Sequence, residues 1–257
     1  MNFREKYQIL QEIGRGTYSV VYLVNNKLTD TIAVAKRARE PEYSQNLRGE
    51  AEILKQLEIS QGVVEFIETI PDERCNFPKG NRAIILKYAG QQCLARFLKK
   101  HNDKVDSDIN PRFNQRELSF YAAQLIAGIS HLHAHGYIHG DLKPGNIIRG
   151  DHVLRKGDHI RIIDFSGCRH FFEVRNCYGT PGYQAPEQKH GVTEFNTDYY
   201  GIGITLNALA QGRVRSIECG DVKITTRNDI TDKFKEGLYL TMHDNSDLRQ
   251  KGLHLLL

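Results

Sequence analysis

The sequence has no apolar run approaching the roughly twenty residues that a membrane-spanning helix requires. Its start, MNFREKYQIL, has no apolar stretch of signal-peptide length. A soluble protein is therefore expected, with no membrane partner. Cysteine is sparse and scattered: Cys75, Cys93, Cys168, Cys177 and Cys219 make an odd number without a Cys-x-x-Cys pair. That suits free thiols in a reducing, cytoplasmic setting better than a zinc or disulfide framework. Net charge is small too. A formal +4 falls well short of the excess that a phosphate-backbone binder carries, so nucleic acid is not an expected partner. Internal repeats and low-complexity tracts are also missing. What is present is a chain of 257 residues, long enough for a substantial core.

Up to about Tyr88 the chain consists of short β-type runs, Tyr7–Ile13, Val20–Val24, Thr31–Lys36, Val63–Ile70 and Arg82–Tyr88, separated by polar or turn-forming residues. This predicts a small sheet. One helix is predicted among the strands, Tyr43–Leu57, with Leu47, Leu54 and Leu57 on one stripe. Glu50 falls on that stripe. Either it faces the core and needs a cation from elsewhere, because an unpaired buried carboxylate is expensive, or it tilts to solvent at the stripe's edge.

Beyond Tyr88 the pattern turns helical. Leu118, Ala122, Leu125, Ile129 and Leu132 recur at intervals of three and four over Arg116–His133, after a surface loop at Asp106–Gln115. Ile160–Ile163 reads as a short buried strand, and two or more helices follow from Asn196. The expected class is α+β: a small β-rich N-terminal lobe with one helix (about 1–88), a hinge at 87–90, and a larger mainly α-helical lobe (about 91–257), all in a single domain over 1–257.

The stretch IGRGTYSVVYLV places Gly14 and Gly16 between two β-type runs. A dinucleotide fingerprint needs a helix after its glycines, and a Walker loop needs Gly-Lys-Ser/Thr; neither is found here. Two readings are left, an ordinary hairpin turn or a hairpin whose backbone covers phosphates, with the glycines letting the chain come close. Next, AVAK ends on Lys36. By itself such a lysine can snorkel to solvent. With Glu50 fourteen residues on, each supplies what the other lacks, and the pair would hold an ammonium where it meets phosphate oxygens.

YIHGDLKPGNIIRG, residues 137–150, contributes Asp141 and Asn146, and IIDFSG puts Asp164 just past the Ile160–Ile163 run. A single loop Asp is by default a turn former or a helix cap. These three side chains in this order, after Lys36 and Glu50, fit phosphoryl transfer, in which positioning and charge neutralisation matter more than covalent chemistry. Asp141 would orient a hydroxyl, and Asn146 and Asp164 would ligate Mg²⁺, which prefers oxygen.

On these residues the chain resembles eukaryotic-type protein kinases from about Tyr7 onward. The signature parts have counterparts in the Gly14/Gly16 loop with Val21, in Lys36, Glu50, His139–Asn146, Asp164-Phe165 and Ala185-Pro186-Glu187, and in Asp198 of DYYGIGITL. The resemblance implies an ATP- and Mg²⁺-dependent transferase acting on Ser/Thr hydroxyls of protein substrates. It implies catalytic roles for Lys36, Glu50, Asp141 and Lys143, and metal ligation by Asn146 and Asp164. It implies a nucleotide pocket formed by Ile13, Gly14, Gly16, Val21, Ala35, Lys36, Leu86 in the gatekeeper place, the backbone of Lys87 and Ala89, Cys93 at the lip, Ile148 and Asp164. Thr180 and Gly182 of GTPGYQAPE fall in a substrate loop. Structural roles fall to Glu187, Asp198 and Arg249, with Arg249 of NSDLRQ meeting Glu187.

His-Gly-Asp is also how the catalytic loop of small-molecule kinases of the aminoglycoside and choline kinase type often reads, and Lys36, Glu50 and Asp164 do not separate the two classes. GTPGYQAPE, which that class lacks, and the pairing of Lys143 with Thr180 favour the protein kinase. A third reading, a kinase-like scaffold, rests on Ser19 and Ser166 standing where Gly is usual; the presence of Lys36, Glu50, Asp141, Asn146 and Asp164 opposes it.

Gly140 stands where many protein kinases carry an Arg that gathers a phosphate on the activation loop. GCRHFFEVRNC, Gly167–Cys177, contains no Ser, Thr or Tyr. Activity is therefore expected without phosphorylation there, with Phe171 and Phe172 anchoring the segment by apolar packing. Cys93, at a helix start, is a candidate reactive thiol. Tyr18 and Ser19, at the tip of the glycine loop, are candidate inhibitory modification sites. His131, His133 and His135 alternate, but they end a helix that the family also closes with Leu-His, so no metal site is expected from them.

Overall fold

The computed structural model describes residues 1–57, 62–75, 82–90, 92–102, 113–150, 160–173, 179–214 and 222–257. The chain divides into two compact units, one formed by residues 1–60, 64–89 and 164–166 and the other by 61–63, 90–163 and 167–257. The first is β-rich with one long helix, and the second is mainly helical, the two parts of the bilobal kinase class expected from the sequence.

The first unit opens with a single helical turn, α1 (Phe3–Lys6), closed by reciprocal bonds between Asn2 and Glu5. Five antiparallel strands follow: β1 (Tyr7–Arg15), β2 (Ser19–Asn26), β3 (Thr31–Ala38), β4 (Phe66–Ile70) and β5 (Ala83–Lys87), in the order β1-β2-β3-β5-β4. Phe3, Tyr7, Val24, Ala33, Ala35 and Ile85 belong to one buried cluster in this unit. Helix α2 (Ser44–Gln56) buries Leu47, Glu50, Ala51 and Leu54. Of the two readings of Glu50, the core-facing one holds.

The run Val63–Ile70 is not one strand. Phe66–Ile70 pairs with β5, whereas Val63 makes a parallel bridge with Ile162 in the second unit. Apolar character alone marks both stretches as β-type, and only the pairing partners separate them.

The second unit contains β6 (Gln92–Cys93), α3 (Leu94–Asn102), α4 (Gln115–Ala134), β7 (Tyr137–Ile138), β8 (Ile147–Arg149), β9 (Arg161–Ile162) and β10 (Arg169–His170). Three more helices follow, α5 (Phe195–Gln211), α6 (Asp232–Thr241) and α7 (Arg249–Leu255). The small strands form a β6-β8-β9 sheet and a β7-β10 pair. Asn114 and Glu117 cap α4 reciprocally, and Leu118, Ala122, Leu125, Ile129 and Leu132 are buried along it. Helix α5 is buried along nearly its whole length, as a helix apolar on every side must be. It stops at Gly212 in the left-handed conformation.

Among the described residues Cys75, Cys93 and Cys168 form no disulfide; Cys177, Cys219 and most of the Asp106–Gln115 loop lie outside the described residues. Among the described residues no helix is long and apolar enough to cross a membrane.

Arg249, the first residue of α7, is fully buried. Its Nη1 and Nη2 donate to Glu187 Oε1 and Oε2 at 2.6 and 2.9 Å, and its Nε donates to the His243 carbonyl at 2.9 Å. This is the bidentate fork that matches a carboxylate best. Burial pushes the Glu187 carboxyl up, but the guanidinium outweighs it and holds the group below its ordinary range. Arg249→Met leaves Glu187 without its cation, at an expected cost of about 3–5 kcal/mol in unfolding free energy by denaturant titration. Because the Glu187 pKa is lower folded than unfolded, the wild-type advantage should be complete above about pH 4.3 and shrink as pH falls through the folded value. An advantage that stays constant down to strong acid would speak against the ion pair.

Candidate active site

In the first unit, strand register sets three predicted residues abreast. Gly14 pairs with Val21, and Val21 with Lys36, whose other neighbour is Ile84. The β1–β2 hairpin is closed by the Gly16 amide donating to the Ser19 carbonyl at 2.9 Å. Arg39, just beyond β3, donates from Nη1 to the carbonyls of Gly16 and Thr17 at 3.2 and 3.3 Å. Sequence reasoning missed this staple, since nothing in RARE separates Arg39 from Arg37.

Ser19 is not at the loop tip as expected. It is buried as the first residue of β2, opposite Ala38. Tyr18 is exposed and packs edge-on against Tyr43, ring centroids 5.2 Å apart. Ala35 and Leu86 are buried, Ile13 and Ala89 half-buried, and Lys87 turns outward to Glu65, 2.8 Å away.

Lys36 Nζ donates to Glu50 Oε1 and Oε2 at 2.9 and 2.7 Å and to Asp164 Oδ1 at 2.7 Å. Burial pulls the ammonium's pKa down, but the two carboxylates win and hold it above the ordinary lysine range. For Glu50 the balance goes the other way: burial raises its pKa by more than Lys36 and the Phe165 amide lower it. The Phe165 amide reaches Glu50 Oε1 at 3.3 Å, so the backbone after Asp164 is tied to the same pair. Asp164 has φ 65°, the left-handed region that costs a non-glycine residue energy and that clusters at functional sites. Ser166 Oγ donates to Asp164 Oδ1 at 2.8 Å.

In the second unit the organising group is Asp198 on α5, 1% exposed. Its Oδ2 accepts the His139 amide at 2.9 Å and His133 Nε2 at 2.8 Å, and its Oδ1 accepts the Gly140 amide at 2.8 Å. Burial alone would raise this carboxyl, but His133, His139 and the Gly140 amide together hold it below its ordinary range. Held this way, Gly140 has φ 73°, which glycine adopts without the clash a Cβ brings.

The next residue, Asp141, receives Lys143 Nζ on Oδ2 at 2.6 Å and the Thr180 amide on Oδ1 at 2.8 Å. Lys143 Nζ also donates to Thr180 Oγ1. Asn146 Nδ2 donates to the Asp141 carbonyl at 2.9 Å, which leaves its Oδ1 as the oxygen to offer. Gly182 turns the chain at φ 87° next to Tyr183, whose amide donates to the Thr180 carbonyl at 2.9 Å. Cys93, half-buried, pairs with Ile148 across β6 and β8 and directly precedes α3.

The alternating histidines do different jobs. His133 bonds Asp198, while His135 Nδ1 lies 2.9 Å from the His131 carbonyl. Among the described residues no group of three or more His, Cys, Asp or Glu is placed to hold a metal. Asp164 and Asn146 each offer a hard oxygen, and Mg²⁺ commonly takes only one or two protein ligands beside phosphates and water. Each of these oxygens, one in either unit, is of the hard type that ion prefers.

Phe171 and Phe172 do not anchor their segment by burial, being 43% and 74% exposed. Their rings nevertheless pack on one another and on His170, and Phe171 meets Phe195 of α5 with centroids 5.4 Å apart; the main chain adds to this, as β10 pairs with β7 and the Phe171 amide donates to the Gly136 carbonyl at 2.9 Å. The stretch 174–178 lies outside the described residues.

Residues 7–254 match the protein kinase domain family. The chain is 27% identical over 218 residues to a probable cAMP-dependent protein kinase catalytic subunit of Encephalitozoon cuniculi, covering 81% of this chain and 61% of that protein. It is 30% identical over 202 residues to cell division control protein 2 homolog C of Antirrhinum majus, covering 75% and 63%. The chain thus spans less than two thirds of the length of these relatives. A crystal structure of a kinase domain superimposes on it with a TM-score of 0.79 at 16% identity, covering 100% of this chain and 95% of the other, and so shares its fold.

Gly140→Ala is expected to cost about 1–2 kcal/mol, because a Cβ there makes only ordinary contacts, 3.8 Å from Thr193 Cγ2 and 3.9 Å from the Gly167 carbonyl oxygen, but the backbone sign is wrong for it. Gly145→Ala, a neighbouring glycine without positive φ, is the control and should cost less. Equal thermal shifts for the two variants would refute the assignment.

Proposed function

The chain belongs to the protein kinase domain family, and we propose from that premise that it transfers the γ-phosphoryl group of ATP to Ser or Thr hydroxyls of protein substrates. The observation that carries the reading is the Asp141 carboxylate shared by Lys143 and the Thr180 amide. A segment 39 residues downstream is bonded onto the loop that carries the acid. Such an arrangement suits a peptide acceptor, which needs a surface beside the acid, more than a small molecule.

In this reading 1–257 is one kinase domain whose chain passes from the β-rich to the helical part at 87–90. Lys36, fixed by Glu50, lies on the nucleotide phosphates. Ile13, Gly14, Gly16, Val21, Ala35, Leu86, Lys87 and Ala89, with Cys93 and Ile148, contact the nucleotide. Asp164 and Asn146 would hold Mg²⁺, which supplies charge neutralisation to phosphate oxygens. Asp141 orients the acceptor hydroxyl and takes its proton. Lys143 neutralises charge on the transferred group, where a preplaced cation is worth most.

Gly140 offers no guanidinium for a phosphate, so the activation segment works without one. Protein treated with phosphatase should keep most of its rate; a large loss that returns on rephosphorylation of the segment overturns this. The activity itself is tested with labelled ATP, offering basic and acidic proteins beside kanamycin and choline. Phosphoserine or phosphothreonine is the expected product, and a labelled small molecule is the contrary one. Asp164→Ala should abolish transfer with the fold intact by circular dichroism, and turnover in that variant would refute its role.

A further inference from the structure

Gln188 follows Ala185-Pro186-Glu187 in the short turn Pro186–His190 and is 4% exposed. A buried primary amide must satisfy both an acceptor and its donors. Here Oε1 accepts the Ala185 amide at 2.9 Å, and Nε2 donates to the Gly140 carbonyl at 2.8 Å. Gly140 is thereby held on both sides, its N–H by Asp198 and its C=O by Gln188. That carbonyl belongs to the same peptide group as the Asp141 amide, so the bond acts directly on the orientation of Asp141.

The substrate segment closes on the catalytic loop at both ends: Thr180 through its amide on Asp141, and residues 185–188 through the Gln188 side chain. Gly179 lies against the same amide, where an added Cβ would come within 3.1 Å of Gln188 Nε2. Gly179, Thr180 and residues 185–188 thus meet the loop at one junction, where the uncharged Gln188 side chain joins the 185–188 end of the segment to Gly140.

We propose that Gln188 is a positioning residue that latches the substrate segment to the catalytic loop without charge, in place of a phosphate held by a guanidinium. The proposal rests on the protein kinase reading and on the phosphorylation-independence inferred from Gly140. A neutral buried latch needs no modifying enzyme, and salt does not screen it as it screens exposed charges.

The test uses the phosphatase-treated 257-residue protein. Gln188→Met keeps the side chain's length and removes both bonds. Transfer to a protein substrate is expected to fall about tenfold in kcat/KM, through KM for the protein, while KM for ATP stays within about twofold. Amide exchange at Asp141 and Ala185 should accelerate about tenfold. Gln188→Glu, which keeps the acceptor for Ala185 and loses the donor to Gly140, should restore protection at Ala185 alone.

Unchanged kinetics and exchange in Gln188→Met, with an active wild type, overturn the latch. Should that variant fail to fold, wild-type exchange decides: an Ala185 amide as unprotected as in an unstructured peptide overturns it, and strong protection supports it. Loss of wild-type activity on phosphatase treatment overturns phosphorylation-independence, and absence of any transfer overturns the kinase reading. In either case exchange at Asp141 and Ala185 still decides the latch.

Discussion

The buried carboxylate of Asp198 is the constraint on which the second unit's chemistry depends. Removing an ion from water costs several kcal/mol, and the interior repays it only if good donors surround the charge. Here the donors are two successive main-chain amides and a histidine. Because the amides belong to His139 and Gly140, the carboxylate dictates the backbone path immediately before Asp141. The left-handed turn at Gly140 follows from that path, and the direction of the Asp141 side chain follows from the turn.

The first unit solves a similar problem with charge on both sides. Lys36 and Glu50 are each nearly inaccessible, with side chains 9% and 1% exposed. Each would be intolerable alone. Asp164 adds a second carboxylate, and its own side chain is 38% exposed. The ammonium is thus held between a buried partner on one side and a partly exposed one on the other.

Glu50 was legible in the sequence because a local pattern and an energetic conflict coincided. A carboxylate on an apolar stripe demands a cation, and one lay on the preceding strand. The main strands and long helices were legible for the same reason, since their periods are written within ten or twenty residues. What escaped was fixed by distant pairing. The burial of Ser19 depends on Ala38 opposite it, and the separation of Val63 from Phe66 depends on Ile162. Gln188 is polar in a turn until the Gly140 carbonyl, 48 residues earlier, explains its burial. Phe171 and Phe172 were legible in part: their rings pack on neighbours, yet both are exposed, because packed aromatic side chains need not be inside.

The fork between Glu187 and Arg249 has a consequence for how the chain is made. The two residues are 62 positions apart, and a ribosome adds roughly 5–20 residues each second. For about 3–12 s during synthesis, the acid therefore exists without the Arg249 guanidinium. The loop beside it cannot settle until the start of α7 has emerged. In a nascent chain, the segment around Glu187 should therefore settle well after α4 has packed.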